Sequence, residues 1–235
     1  SIPVTEMTTF KTQIKLHDRQ SGSIDENNTR RVAVVDYGMG NVWSVISALR
    51  YLGASVELVS DPKVLAEADY IVLPGVGSFK KGMENLKKNG IDEVIRSVAI
   101  ANKTKILGIC LGMQLLGSQS TEDGETAGLG LLANRVERFT IKELGQNKIP
   151  HIGFNSIYFT QQSGLFRDLI EPADFYFLHS YRMLVDDFDG LYATCSYGID
   201  FLAAFEIDNI CGAQFHPEKS QTNGLVFLRN FLKKD

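Results

Sequence analysis

The sequence predicts an α/β fold built on a doubly wound, mainly parallel sheet with antiparallel additions. From Arg31 to Gly128, short apolar runs alternate with amphipathic segments, which is typical of parallel strands covered by helices on both faces. After Gly128 the apolar runs follow one another across short turns, which indicates mixed or antiparallel pairing. A length of 235 residues with 44% hydrophobic residues suits one such domain.

The first part of the chain supplies four strands and the helices between them. The strands are predicted from the apolar runs VAVVD, SVELVS, DYIVL and TKILGIC. The helices are predicted from VWSVISALRYLG, DPKVLAEA, SFKKGMENLKKNG and IDEVIRSVAIAN. The first of these helices ends at Gly53, and the second has proline in its first turn.

The second part of the chain supplies shorter strands and one last helix. The strands are predicted from RVERFTI, SIYFT, DFYFLHSYRML, LYATCSYG, FLAAFEI and NICGAQF. The helix is predicted from Gly224 to Lys233.

Residues 1–30 differ from the rest, because they are polar, weakly periodic and end in the turn-rich SGSIDENN. We predict a flexible N-terminal extension or a remnant of expression there, in preference to a small docking arm. Residues 31–235 then form one domain.

Composition excludes several classes of function. A net charge of −4 without a long basic run lacks the electrostatic footprint of a nucleic-acid-binding protein, and no apolar run is long enough to span a membrane. The three cysteines, Cys110, Cys195 and Cys211, have no metal-ligand spacing. Without a signal-peptide pattern we expect a cytoplasmic protein with free thiols. No GxGxxG or GxxxxGK motif follows the first strand, so a nucleotide-binding module is discarded, and we expect no cofactor and no metal.

A nucleophile is suggested by Gly108-Ile109-Cys110-Leu111-Gly112, where a strand turns into a helix. The glycine spacing is that of the serine nucleophile elbow, in which glycines relieve crowding around an exposed nucleophile. The helix N-terminus would favour a thiolate over a thiol. The alternative is a core cysteine between two packing glycines.

Two more strand exits carry polar or glycine-rich turns. Glycines in Pro74–Gly77 let backbone amides point outward and form an oxyanion hole, although a tight turn or a phosphate cradle fits as well. In QFHPEKS, His216 can act as a general base that Glu218 orients, although an ordinary surface turn is the alternative. Since the carboxyl ends of strands meet at one edge of an open sheet, the three segments together supply the groups needed for acyl transfer.

The motifs GICLGMQ, PGVGSF and QFHPEKS resemble those of class I, triad-type glutamine amidotransferases, which have a flavodoxin-like sheet. VDYGMGNVWSV, IPHIGFN and FYFLHSY further resemble the glutaminase subunit of imidazole glycerol phosphate synthase. The resemblance runs from Arg31 to the C-terminus.

The resemblance implies a mechanism for hydrolysis of L-glutamine. Cys110 attacks the side-chain amide, His216 protonates the departing ammonia and Glu218 holds His216. The oxyanion lies against the backbone N–H groups of Leu111 and of Val76 or Gly77. In this family the PGVG strand adjusts when the partner is loaded, so we expect an incomplete oxyanion hole and low activity in the chain alone.

The resemblance also implies which residues bind the α-amino and α-carboxylate groups of glutamine. These are Gly75, Gly77, Gln114, Glu122, His179, Ser180 and Tyr181. Without the resemblance, Gln114 reads as a polar residue in a first helical turn, Glu122 as a solvated acid, and His179 as a satisfied histidine at a strand end. His151 invites the same plain interpretation as His179.

The partner implied by the resemblance is a cyclase or synthase subunit built as a (β/α)8 barrel. It forms a heterodimer with this chain and receives ammonia through a channel, for histidine biosynthesis. The family positions near that interface are Asn41, Phe154, Tyr176 and Lys219. The family more usually has tryptophan at the position of Phe154, which leaves the packing of this contact open.

Three alternatives stay open. Gln221 is also found in related glutaminases that supply ammonia to sugar amidotransferases in surface-polysaccharide biosynthesis. A non-catalytic scaffold homologue would not need the intact set of Cys110, His216 and Glu218. A cysteine peptidase on a similar sheet would not need QFHPEKS together with PGVG.

Overall fold

The computed structural model of the protein describes residues 30–233. The extension predicted over residues 1–30 therefore lies outside the described residues, except for Arg30. Within this range no helix is long and apolar enough to cross a bilayer.

Thirteen strands are found between residues 30 and 233. They are β1 (Arg31–Val35), β2 (Ser55–Val59), β3 (Tyr70–Leu73), β4 (Lys105–Ile109), β5 (Gln119–Ser120), β6 (Thr126–Ala127), β7 (Val136–Arg138), β8 (His151–Phe159), β9 (Ala173–His179), β10 (Tyr181–Met183), β11 (Leu191–Ser196), β12 (Asp200–Ile207) and β13 (Ile210–Ala213).

The same range contains seven α-helices and two short 3-10 turns. The helices are α1 (Trp43–Tyr51), α2 (Pro62–Leu65), α3 (Phe79–Lys88), α4 (Ile91–Ala101), α5 (Leu111–Leu115), α6 (Ile141–Leu144) and α7 (Gln221–Phe231). The 3-10 turns are Gly164–Phe166 and Pro217–Lys219.

Nine strands form one sheet in the order β2-β1-β3-β4-β13-β12-β11-β8-β9. The pairings from β2 to β13 are parallel, and those from β13 to β9 are antiparallel. The α/β class is therefore confirmed, with an antiparallel half that holds as many pairings as the parallel half. Because β13 joins the two halves, the segment that follows it lies at the centre of the sheet.

A second, four-stranded sheet has the order β10-β7-β5-β6 and was not predicted. Two of its strands lie inside predicted runs, but RVERFTI is a strand only over Val136–Arg138, and its last residue begins α6. Thr140 starts that helix with a capping box, since its side chain and that of Glu143 each bond the other residue's backbone N–H. The final helix also differs, beginning at Gln221 instead of Gly224.

The large sheet buries apolar side chains on both faces, as a doubly wound fold requires. In β1, Val32 and Val34 belong to one buried cluster, while Ala33 and Val35 belong to the other. This division follows the two-residue period of a strand. Burial on both faces explains why the parallel strands read as continuous apolar runs.

The turn from β4 into α5 depends on two glycines. A Cβ at Gly112 would lie 1.7 Å from the Leu73 carbonyl oxygen in β3, and a Cβ at Gly108 would lie 2.6 Å from the carbonyl oxygen of Gly112. Real Cβ atoms do not approach backbone atoms so closely. Helix α5 therefore begins directly against the strand ends, and Cys110 is fixed between them.

We expect Gly112→Ala to lower the free energy of unfolding by about 3 kcal/mol or more, because α5 would have to move away from β3. The matched control is Gly82→Ala in α3, where the new methyl group would meet only side-chain methyl groups, of Leu115 at 3.1 Å and of Leu111 at 3.4 Å. Urea unfolding of both variants measures the difference. Equal destabilisation by the two substitutions would contradict the close packing of the elbow.

Candidate active site

Cys110 lies at the turn from β4 into α5 in a backbone conformation that residues other than glycine rarely adopt. Its backbone has φ 55° and ψ −113°, and such strain costs about 1–3 kcal/mol. Two backbone bonds hold it there: its N–H donates to the Ala213 carbonyl at 2.7 Å, and its carbonyl accepts from the Gln114 N–H at 3.2 Å. The turn presents the thiol at the start of a helix, as the glycine spacing predicted, but the side chain is buried instead of exposed and reaches only the lining of a cavity.

His216 follows β13 and is held by Glu218. Nδ1 of His216 lies 2.7 Å from Glu218 Oε1, and both side chains are buried. Because a carboxylate only accepts, Nδ1 donates and Nε2 is left for another group. The backbone of His216 is also fixed, since its N–H donates to the Tyr176 carbonyl and its carbonyl accepts from the Ser220 hydroxyl.

Cys110 and Glu218 favour the charged form of the His216 imidazole. Burial alone would lower the pKa of His216, but the Cys110 sulfur and the Glu218 carboxylate outweigh burial and raise this pKa to about 10. Nε2 has no hydrogen-bond partner of normal geometry within residues 30–233. Nε2 of His216 therefore remains available to a reacting group beside Cys110.

A cavity of about 380 Å³ opens in front of Cys110. Its lining holds nine of the predicted site residues: Val76, Gly77, Cys110, Leu111, Gln114, Glu122, His179, Ser180 and Tyr181. Ser78, Pro150 and Leu178 complete it, and Gly75 lies outside it. The lining of a separate cavity of about 400 Å³, between Phe154 and the start of α7, includes none of Cys110, His216 and Glu218.

The predicted oxyanion hole is closed. The N–H of Leu111 donates to the carbonyl of Gly75 at 3.1 Å, so the donor expected to meet an oxyanion already has a partner. The adjoining segment is held from below, because the hydroxyl of Tyr37 donates to the Pro74 carbonyl at 2.5 Å. Gly75 and Gly77 have φ of 146° and 122°, which gives this segment backbone freedom to turn the Gly75 carbonyl away.

Glu122 is placed where it can meet a cation. Its Oε2 accepts from the backbone N–H of Phe79 at the start of α3, at 3.1 Å. Burial raises the pKa of Glu122, the bond from Phe79 opposes that effect, and the nearby Asp123 adds to it. An ammonium group in the cavity would stabilise the carboxylate form.

Gln114 turns one end of its amide toward the protein. Its Nε2 donates both to the carbonyl of Tyr181, at 3.1 Å, and to Oε1 of Gln214, at 3.0 Å. Both N–H donors are therefore used, and Oε1 is the group that Gln114 can offer to a ligand.

His179 and His151 form a buried, neutral pair. His179 donates through Nδ1 to the Tyr181 carbonyl at 2.8 Å, so its Nε2 accepts from His151 Nδ1 at 2.9 Å. Nε2 of His151 in turn accepts from the amide of Asn155 at 3.2 Å. Burial is the main cause that lowers the pKa of His179 to about 3 and that of His151 to about 4. The ring of His179 thus positions the backbone of residues 179–181 beside the cavity.

Two of the residues expected at a partner interface pack against a third, Tyr176. Phe154, 52% exposed, packs edge-on against Tyr176 with ring centres 5.6 Å apart, and Lys219 Nζ lies 5.9 Å from the centre of the Tyr176 ring. Asn41 lies in the turn after β1, where its side chain accepts from the N–H of Trp43. Their role at an interface stays a prediction.

Sequence reasoning did not assign roles to Tyr37, His151 or Gln214. Gln214 is fully buried, and its Nε2 lies 3.8 Å from the Cys110 sulfur. The only sequence signal for it is its position at the end of β13, two residues before His216. Across residues 30–233, no group of three or more His, Cys, Asp or Glu side chains is arranged to hold a metal.

Comparison with known families agrees with this geometry. Residues 33–234 match the family model described as glutamine amidotransferase class-I. The chain belongs to the class I glutamine amidotransferases.

The match to curated relatives in the family covers almost their whole length. The chain is 43% identical over 204 residues to imidazole glycerol phosphate synthase subunit HisH 1 of Parasynechococcus marenigrum, covering 86% of this chain and 97% of the relative. It is 45% identical over 205 residues to subunit HisH of Aquifex aeolicus, covering 87% and 97%.

Solved structures of more distant members show the same fold. A putative GMP synthase protein from Thermoplasma acidophilum has a TM-score of 0.66 at 21% identity, covering 88% of this chain and 94% of that one. PurLQS from Thermotoga maritima has a TM-score of 0.66 at 19% identity, covering 87% and 98%. The predicted class I amidotransferase fold is confirmed.

We expect the His151–His179 pair to make stability depend on pH. Their pKa values in the folded protein lie below the ordinary value of about 6.5. Below pH 6.5 the unfolded chain therefore binds more protons at these histidines than the folded protein does. The stability that is present above pH 6.5 is lost as the pH falls toward 4. At pH 5 each histidine should lower the free energy of unfolding by about 2 kcal/mol relative to its value well above pH 6.5.

Urea unfolding at pH 7 and pH 5 tests this expectation. The wild-type protein should lose more free energy of unfolding between these pH values than a variant that carries both His151→Gln and His179→Gln. The same loss in both proteins would show that the pair is not held neutral.

Proposed function

We propose that this chain is the glutaminase subunit of imidazole glycerol phosphate synthase in histidine biosynthesis. It hydrolyses L-glutamine to glutamate and ammonia and passes the ammonia to a synthase partner. The observation that carries the chemistry is the strained Cys110 at the mouth of the cavity, with the buried His216–Glu218 pair beside it. The pathway is supported by the names of the curated relatives.

The first half of the reaction forms a thioester. The Cys110 thiolate attacks the side-chain amide carbon of glutamine, and the carbonyl oxygen takes up the negative charge. When the tetrahedral intermediate collapses, the C–N bond breaks and protonated His216 gives its Nε2 proton to the departing nitrogen, which leaves as ammonia. Glu218 stabilises the imidazolium and keeps Nε2 directed at the reacting atoms.

The second half regenerates the cysteine. Neutral His216 takes a proton from water, and the resulting hydroxide attacks the γ-glutamyl thioester. Collapse of the second tetrahedral intermediate breaks the C–S bond, so that glutamate and the Cys110 thiolate are released.

Recognition of glutamine uses both ends of the cavity. We assign its α-ammonium group to the Glu122 carboxylate and the Oε1 atom of Gln114, because one is anionic and the other is an acceptor. The α-carboxylate is assigned to the backbone of Gly77 and of Ser180–Tyr181, whose conformation His179 supports. With its α-groups held there, bound glutamine extends its side chain toward Cys110, so that its amide carbon meets the sulfur.

The partner is a synthase subunit, for which we propose a (β/α)8 barrel. It docks over the exposed Phe154 and the half-buried Tyr176, with Lys219 beside them and Asn41 at the turn after β1. Ammonia that escapes into water becomes protonated and loses its nucleophilicity, so release into a covered channel is needed. Docking would also favour the open oxyanion hole, in which Leu111 N–H no longer bonds Gly75.

Loss of the nucleophile or of the orienting acid should remove glutaminase activity. We expect Cys110→Ala to abolish glutamate release and Glu218→Gln to lower kcat by about 100-fold or more, because His216 loses its orientation and charge partner. Cys195→Ala is the matched control, since it removes another buried thiol and should keep near-wild-type activity. Glutamate release at saturating glutamine gives the comparison, and full activity of Cys110→Ala would overturn the mechanism.

A histidine-pathway cyclase carrying its nucleotide ligand should stimulate this activity strongly. The physical reason is the closed oxyanion hole, which leaves the chain alone with one donor fewer, a loss of about 100-fold or more in rate. The assay measures glutamate release with and without the cyclase, with Cys110→Ala run in parallel. Cys110-dependent activity that the cyclase does not change would favour a sugar amidotransferase partner. No Cys110-dependent activity in either condition would favour a non-catalytic homologue.

A further inference from the structure

Gln214 links the candidate nucleophile to the substrate pocket. It is fully buried at the end of β13, and its backbone N–H donates to the Ala203 carbonyl at 2.8 Å. Its side-chain amide lies between Gln114, whose Nε2 is 3.0 Å from its Oε1, and Cys110, whose sulfur is 3.8 Å from its Nε2.

The direction of this amide is fixed by its neighbours. The Tyr181 carbonyl can only accept, so the nitrogen of Gln114, and not its oxygen, points there. The second hydrogen of that nitrogen goes to Oε1 of Gln214. Nε2 of Gln214 is thereby turned toward the Cys110 sulfur, to which it presents a donor.

The other groups that face the sulfur have different effects. The carbonyl of Leu178, 3.6 Å away, can accept from a thiol but offers nothing to a thiolate. His216 favours the thiolate through its positive charge, and Tyr37 stays neutral because burial raises its pKa. Gln214 is therefore a neutral donor that favours the thiolate whatever the protonation state of His216.

We propose that Gln214 is a positioning residue that aims an N–H donor at the Cys110 thiolate and, through the same amide, holds Gln114 in the orientation needed at the substrate pocket. The inference rests on the proposed function, because the thiolate and the substrate pocket belong to that mechanism. The contacts of Gln214 with Gln114 and Cys110 are observed independently of it. Gln214 makes no contact with the reacting amide in this assignment and acts through the other two side chains.

Alkylation of Cys110 by iodoacetamide tests this inference without glutamine or a partner. The rate is followed from pH 5 to pH 9 by mass spectrometry of the peptide that contains Cys110, in wild type, Gln214→Met and Gln214→Glu. Methionine keeps the size of the side chain and removes the donor. Glutamate keeps the shape and replaces the N–H donor by an acceptor oxygen.

We expect Gln214→Met to slow alkylation at pH 7 about tenfold. This is at the lower end of the effect of a hydrogen bond to a charged group, because the contact between Nε2 and the sulfur is long. The pH at which alkylation reaches half its maximum should rise, and rise further in Gln214→Glu, since its carboxylate repels a thiolate. Asn230→Leu is the control, because it removes a buried amide in α7 that donates to the carbonyls of Leu165 and Arg167 and not to Cys110. It should leave the pH profile unchanged, and melting temperatures identify variants that fold.

The outcomes separate this inference from the proposed function. A reactive Cys110 with the same pH profile in wild type and Gln214→Met would overturn the role of Gln214 and keep the glutaminase mechanism. A wild-type Cys110 that reacts no faster than Cys195, whose pKa is raised to about 12 mainly by burial, would overturn the mechanism. If Gln214→Met does not fold, Gln214→Glu decides, and a wild-type profile in that variant overturns the proposal.

Discussion

The contact of Gly112 with the Leu73 carbonyl is the constraint on which the site depends. It lets α5 begin within one residue of the end of β4, and only a chain without a Cβ at this position can do so. The cost is the strained backbone of Cys110, which the sheet can bear because backbone bonds to Ala213 and Gln114 hold both sides of that residue. The thiol, the helix N-terminus and the PGVG segment are brought together by this single close approach.

Around this elbow, similar side chains are given opposite properties by their neighbours. His216 is buried against a carboxylate and a sulfur, so it is held in the charged form. His179 is buried against a carbonyl and another imidazole, so it is held neutral and has a structural part to play. The Tyr181 carbonyl joins the two systems, since it accepts from both His179 and Gln114. The orientation of His179 is thus linked through this oxygen to that of Gln114 and, through Gln214, to the candidate nucleophile Cys110.

The sequence allowed the fold class and the elbow to be predicted because both depend on local patterns. Apolar runs reflect burial on both faces of the sheet, and the glycines on each side of Cys110 reflect local crowding. The small sheet was missed because its strands are two or three residues long, too short for a period to appear. Ile141 continued an apolar run, but the capping box at Thr140 starts a helix there. His151 was correctly interpreted as a satisfied histidine at a strand terminus. Its pairing with His179 and the contacts of Gln214 could not be predicted, because these partners lie 28 to 104 residues away in the chain.

The bond between Leu111 N–H and the Gly75 carbonyl makes the resting protein self-inhibited. A peptide oxygen occupies the donor that a reaction intermediate would need, and it is present at the site at all times. Reversing this arrangement requires a change elsewhere that compensates for the bond and for the backbone around Gly75, and docking of a partner is such a change. A cell that stores nitrogen as glutamine gains from this arrangement, because copies of the protein without a partner hydrolyse little of that glutamine.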